Sequence, residues 1–234
     1  MELNGKVVVV TGSTGGLGPA VVEAFLAAGA RVCATYRSDE KLVLLHDRLG
    51  KLVGRLSDYQ VDVTREPQVQ PMVGDVLKRF SRIDVLVNVT GGWLGDKPME
   101  DHALQEWEQM LDLNLKSAIV TAKLVLPVMK KQGSGAIIFV GATSGLHGEG
   151  GSAAYAAAKA ALISLTQSLH QEVSEMGIAV NCLLPSMIDT AANRDAMPGG
   201  DTSHWTKPEA IAAVAAFLAS EAGRTVKGAA LPVL

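Results

Sequence analysis

The chain has 234 residues, 48% of them hydrophobic and 19% charged, with a formal net charge of -3. That length suits a single α/β domain, and the apolar content excludes wholesale disorder. The slightly acidic balance lacks the basic footprint of a nucleic-acid binder. Cys33 and Cys182 are too few for a disulfide framework and read as buried, reduced thiols. The histidines, at 46, 102, 147, 170 and 204, form no metal-spaced pair, so no metal is expected.

No basic-then-apolar leader precedes the first strand pattern. The apolar stretches near 117–129 and 210–219 carry Lys123 or are too short, because a membrane span needs about 20 apolar residues. The expectation is a soluble cytoplasmic protein with no membrane partner. Four valines at 7–10 predict a strand buried on both faces. Helical patterns follow at 17–28, 39–49 and 66–80, with strands predicted at 31–35, 57–63 and 83–89 between and after them. Residues 101–131 hold two helical stretches, and 136–140 a fifth strand. A long helix is predicted over 152–176, with Ala158, Leu162, Leu165, Leu169 and Val173 on one side. A strand at 178–184, a helix at 208–220 and a closing strand at 229–233 complete the chain. This alternation predicts one doubly wound, Rossmann-type domain over 1–234: a parallel sheet of about seven strands with helices on both faces. The polar stretch 189–207 is the longest predicted loop, and the substrate loop is placed at about 186–207.

The first strand runs into Thr11-Gly12-Ser13-Thr14-Gly15-Gly16-Leu17-Gly18. A glycine-rich turn between a buried strand and a helix lets the backbone approach a pyrophosphate, which the helix N-terminus then faces with free N–H groups. Pro19 falls in the first helical turn, where a missing N–H costs little. The spacing is Gly-x-x-x-Gly-x-Gly, and it resembles the short-chain dehydrogenase/reductase family. Further motifs follow in register: Asp62, Asn88-Val89-Thr90-Gly91, Asn114, Tyr155-x-x-x-Lys159 and the segment from Pro185 to Thr190. The resemblance spans essentially the whole chain. It implies a nicotinamide cofactor held by Gly12, Ser13, Thr14, Gly16, Leu17 and Gly18. Tyr36, Arg37, Ser38, Asp62 and Val63 would flank the adenosine; Asn88, Val89, Thr90, Gly91, Pro185, Ile188 and Thr190 would complete the contacts.

By alignment with the family, Tyr36 takes the strand-tip position at which an acidic residue would bind the ribose of NAD. Arg37 can pair with a 2′-phosphate, so Arg37 and Ser38 favour NADP(H) over NAD(H). Tyr155 and Lys159 share a helix face. A phenol has a pKa of about 10, and a nearby ammonium is expected to lower it. Tyr155 is thus the expected proton donor and Lys159 its electrostatic partner. The family implies that Asn114 steadies a helix kink and a proton-relaying water.

One family element is missing. The family serine thirteen residues ahead of the tyrosine is Ala142 here, with Thr143 and Ser144 beside it but out of register. The altered Asn88 motif followed by Gly92-Trp93, the missing serine and the loop holding Asn193, Arg194 and Trp205 together resemble one branch of the family, the quinonoid dihydropteridine reductases. Trp93 can stack on a flat heterocycle, and Ala142, Thr143, Ser144, Asn193 and Arg194 join it as candidate substrate residues. The expected activity is therefore hydride transfer to a small-molecule substrate of the conjugated dihydropterin kind. The alternatives are a carbonyl or 3-oxoacyl reductase using a substitute hydroxyl, and a non-catalytic NADP(H)-binding sensor. The resemblance also implies a homodimer or homotetramer built through the helices at 101–131 and 152–176.

Overall fold

The computed structural model describes residues 2–234. Seven parallel strands form one sheet: β1 (Val7–Thr11), β2 (Arg31–Tyr36), β3 (Leu56–Gln60), β4 (Val85–Asn88), β5 (Gly135–Val140), β6 (Ile178–Pro185) and β7 (Ala230–Val233). Their order is β3-β2-β1-β4-β5-β6-β7, and every pairing is parallel. The helices are α1 (Gly18–Ala27), α2 (Asp39–Leu49), α3 (Glu66–Phe80), α4 (Leu104–Leu111), α5 (Ser117–Gln132), α6 (Ser144–His147), α7 (Ala153–Val173), α8 (Ala191–Ala196) and α9 (Pro208–Ala219). Among the described residues, no helix is long and apolar enough to cross a membrane.

The sheet separates two cores, and the valine run shows how. Alternate side chains of a strand point to opposite faces. Val8 and Val10 join the core beneath α1 and α9, and Val7 and Val9 join the one beneath α3, α5 and α7. β-Branched residues suit both faces of such a central strand.

The third strand ends at Gln60, short of the predicted residue 63, and two further stretches differ from expectation. The predicted loop 189–207 contains α8, whose N-cap Thr190 accepts a hydrogen bond from the Asn193 N–H at 3.2 Å. Six polar and small residues carry too little apolar periodicity to announce that helix. The turn of helix α6 also goes beyond the predicted elements, for the same reason.

Strand order fixes where a ligand sits. From β1 the chain moves outward to β2 and β3, then returns to place β4 on the other side of β1. The connections leaving β1 and β4 therefore diverge and open a crevice at the carboxyl ends of these two strands.

Candidate active site

The glycine-rich turn lines one wall of that crevice. Gly12 has a φ of +64°, and a Cβ there would lie 3.0 Å from the Thr90 backbone, so only glycine fits. A Cβ on Gly18 would come within 2.5 Å of the Ser13 carbonyl group. The turn is thus closed on itself, leaving backbone as its ligand-facing surface. Ser13 anchors it: its N–H and its hydroxyl both donate to the Thr35 carbonyl, at 3.1 and 2.8 Å. The hydroxyl is spent inside the protein, so Ser13 serves the site by holding the turn on β2. Leu17 and Val63 likewise bury their side chains in the cores. Gly16 faces the opposite loop, where a Cβ would meet Thr190 Cγ2 at 2.7 Å. The turn and the substrate loop therefore close over the same space.

At the tip of β2, Tyr36 is half-buried and Arg37 exposed. The Ser38 hydroxyl accepts from the Lys41 N–H at 3.4 Å and caps α2. Arg37 lines a hollow of about 410 Å³ with Asp62, Thr64, Gln109 and Leu113. Burial pushes the Asp62 carboxyl up, but two hydrogen bonds from Thr64 and the charges of Arg65 and Arg37 outweigh it and hold Asp62 below the ordinary range. Hollow, arginine and glycine turn together fit a dinucleotide: backbone for the pyrophosphate, a wide recess for the adenosine, a cation at its rim.

Gly91, Asn114 and Lys159 converge at the other end. A Cβ on Gly91 would lie 2.8 Å from Asn114 Oδ1 and 3.4 Å from Lys159 Nζ. Asn88 and Thr90 hold the segment, through an Asn88 to Thr121 side-chain bond of 3.4 Å and a Thr90 N–H to Thr11 Oγ1 bond of 3.2 Å. Val89 is partly buried against the core. Asn114 lies fully buried in a π-helical turn, Asp112–Lys116, between α4 and α5. Such turns occur often at functional sites. Its amide donates to Gly92 O at 2.9 Å and Met110 O at 3.0 Å, while its oxygen accepts from the Gly92 N–H at 3.2 Å. Asn114 is therefore a positioning residue that ties the widened turn to the loop after β4.

Tyr155 and Lys159 stand one turn apart on α7, with Lys159 Nζ 5.6 Å from the centre of the Tyr155 ring. The ammonium group is buried and donates to the Val140 carbonyl at 2.8 Å. The expected lowering of the phenol is overturned. Burial, reinforced by the charge of Glu149, pushes Tyr155 up to about 12, and burial pulls Lys159 down to about 8. Desolvation disfavours the charged form of each, and it is the largest cause of both shifts. Tyr155 is thus a neutral acid near neutrality, the form from which a proton is given.

Around this pair, Ala142 is buried and Thr143 heads α6, its N–H donating to Pro185 O at 3.1 Å. Ser144 Oγ is buried with no partner among the described residues. Trp93 stands at the mouth, 53% exposed. Arg194, expected at the substrate, instead makes a two-pronged ion pair with Asp189, which also binds Lys207. Asp189 has only 4% of its side chain exposed, and it draws both cations onto itself. Asn193 likewise turns inward, donating to Ile188 O at 2.8 Å, and Ile188 pairs with Thr206 in a parallel bridge. These bonds hold the loop together. Glu149 and Lys207 were missed by sequence reasoning; the only signal for Glu149 is a charged residue inside the glycine-rich loop just ahead of Tyr155.

Similarity to known proteins agrees with this geometry. The family model described as short chain dehydrogenase matches residues 6–199. The 3-oxoacyl-(acyl-carrier-protein) reductase FabG of Thermotoga maritima is 33% identical over 236 residues, spanning 97% of this chain and 96% of that protein. FabG of Escherichia coli K12 is 32% identical and spans 100% of this chain and 97% of that protein. Two solved structures superpose with a TM-score of 0.92: gox2181, 30% identical over 99% of this chain and 95% of that one, and ElxO with NADP bound, 29% identical over 97% and 96%. The chain belongs to the short-chain dehydrogenase/reductase family, and it is an oxidoreductase of that type. The named relatives are 3-oxoacyl reductases, so the narrower likeness to dihydropteridine reductases rests on Ala142, Trp93 and the substrate loop alone.

Proposed function

We propose that the protein is an NADP(H)-dependent reductase of a small carbonyl compound of the 3-oxoacyl kind. The observation that carries this reading is the neutral Tyr155 phenol, held one helical turn from Lys159 beside the crevice at β1 and β4. A bound nicotinamide supplies the hydride. Tyr155 gives its phenolic proton to the carbonyl oxygen as charge develops there. The Lys159 ammonium stabilises the tyrosinate left behind, and a low-polarity surrounding strengthens that attraction. Asn114 keeps the Gly91–Gly92 backbone against this pair.

Ala142 removes one hydroxyl from the family arrangement. Ser152 Oγ is turned towards Glu149, whereas Ser144 Oγ has no partner among the described residues, which leaves Thr143 and Ser144 as the candidate substitutes. The 3-oxoacyl reductase relatives support a carbonyl substrate, and ElxO, solved with NADP, supports the cofactor, as does Arg37 at the rim of the hollow. A second reading, reduction of a conjugated quinonoid dihydropterin, is favoured by Ala142 and the exposed Trp93, because an electron-poor flat ring accepts hydride without a second hydroxyl. We also propose a homodimer through α5 and α7, where Ile119, Ala122, Leu126, Leu165 and Leu169 line an apolar groove.

The test follows NADPH oxidation by absorbance with a 3-oxoacyl thioester and, separately, with quinonoid dihydropterin. Turnover of the thioester, raised about tenfold or more by Ala142→Ser, is expected, since one such donor is worth about 10²–10³ in rate where it is fully aligned. Turnover of the dihydropterin alone would favour the second reading. Tight NADPH binding with no turnover of either would favour a sensor.

A further inference from the structure

The mouth of the site carries a charge that the reaction itself does not use. Glu149 lies exposed in the loop between α6 and α7. Its carboxylate Oε2 is 3.3 Å from the hydroxyl of Ser152, the buried residue at the start of α7 three places before Tyr155. The loop after β4 packs on the same spot: a Cβ on Gly95 would lie 2.6 Å from Trp93 Cζ2 and 2.9 Å from Ser152 Cβ. The Trp93 indole, the Glu149 carboxylate and the base of the Tyr155 helix thus meet at one rim. The phenol also feels the Glu149 charge, which adds to burial in pushing Tyr155 up.

The lysines and the loop arginine around the site are already committed. Lys97 is paired with Glu106 at 2.7 Å, Arg194 with Asp189, and Lys159 is buried against the Val140 carbonyl. Among the described residues, Glu149 and the neighbouring exposed Asp96 have no cationic partner. These two carboxylates therefore stand unpaired at the rim.

Resting on the carbonyl-reductase reading above, we infer that Glu149 determines specificity by charge, excluding substrates with an anionic group next to the reacting carbonyl and admitting neutral or cationic ones. In a free 3-oxo acid the carboxylate stands one carbon from the ketone, so seating the ketone at Tyr155 brings a second negative charge to the rim. Like charges repel, and a repulsion that costs a factor of about ten corresponds to about 1.4 kcal/mol. In an ester, thioester or amide of the same acid that charge is gone. The site accordingly distinguishes an esterified 3-oxo acid from its hydrolysis product without touching the ester group.

The experiment compares wild type with Glu149→Gln, which keeps the size and the Ser152 contact. The first arm measures kcat/KM for ethyl acetoacetate and for acetoacetate at low salt. The expected result is that the variant raises the acetoacetate-to-ester ratio about tenfold, and that salt erodes the difference. A ratio within twofold of wild type overturns the inference. The second arm does not need turnover. In a background with Trp107→Phe and Trp205→Phe, quenching of Trp93 fluorescence by iodide is compared with quenching by neutral acrylamide. Glu149→Gln is expected to raise iodide quenching about twofold and leave acrylamide unchanged. If neither compound is reduced, the carbonyl-reductase reading fails, and the iodide arm alone decides whether Glu149 sets the field at the rim. Unchanged iodide quenching overturns it.

Discussion

At the proposed nucleotide end of the crevice the available surface is backbone. Gly12, Gly16 and Gly18 leave no room for side chains, and Ser13 spends its hydroxyl on β2. At the proposed substrate end the surface is side chain: Trp93, Ala142, Thr143, Glu149 and Tyr155 stand on loops or on the first turn of a helix. The first construction recognises a phosphate through groups that every residue has, so its sequence signature is an absence of bulk. The second depends on single side chains that any substitution rewrites. This contrast explains why the same fold serves many chemistries, and why the general activity follows from this chain more readily than the substrate.

The sharpest way to break the contrast is to add bulk at the nucleotide end. Gly18→Val should weaken NADPH binding by about a hundredfold or more and lower the melting temperature, because the new side chain meets backbone that cannot move aside. Fluorescence titration and thermal unfolding read both effects. Next in size is the pH response of the substrate end. Burial sets Lys159 at about 8, so its charge is present below that pH and lost above it. Reductive kcat/KM should therefore fall towards tenfold per pH unit above about 8. Stability should move in the opposite sense. Between about 8 and the ordinary lysine value of about 10.4, the unfolded chain binds the proton that the folded chain lacks, so folding stability rises with pH. Lys159→Met should accordingly raise the melting temperature at neutral pH while abolishing reduction.

A smaller effect separates the two nucleotides. Arg37→Ala should weaken NADPH about tenfold and leave NADH unchanged, which isothermal titration can compare directly. The smallest concerns the ion cluster under the substrate loop. Asp189→Asn leaves Arg194 and Lys207 without their anion, so residues 189–207 should be cut faster by protease. The KM for substrate should rise a few-fold, as expected for loosened positioning rather than lost chemistry.

The fold was legible in the sequence because its signals are strong and repetitive. The valines of β1 belong to both cores, and α2 and α3 span the predicted ranges. The glycine turn was legible because steric exclusion leaves few alternatives at Gly12 and Gly18. The substrate end was legible only in part. Sequence offered Arg194 both a substrate and an ion pair with Asp189 or Asp195; that Asp189 is the partner, and that Lys207 joins it on the same carboxylate, appears only in the fold. Tyr155 was expected to be lowered by Lys159; how deeply both are buried is a property of the packed helix, and burial reverses the sign. A helix kink at Asn114 was implied by resemblance, but that it is a π-helical turn, with reciprocal bonds to Gly92, appears only in three dimensions.

The most direct test of the central claim pairs chemistry with binding in one variant. Tyr155→Phe keeps the ring and removes only the proton. Single-turnover reduction of the accepted substrate and the Kd for NADPH are measured on the same preparation. The account predicts a loss of reduction of about 10³-fold or more with the NADPH Kd changed by less than about threefold. Reduction that persists within about tenfold of wild type, with NADPH still bound, would contradict it and would mean that the proton comes from another group.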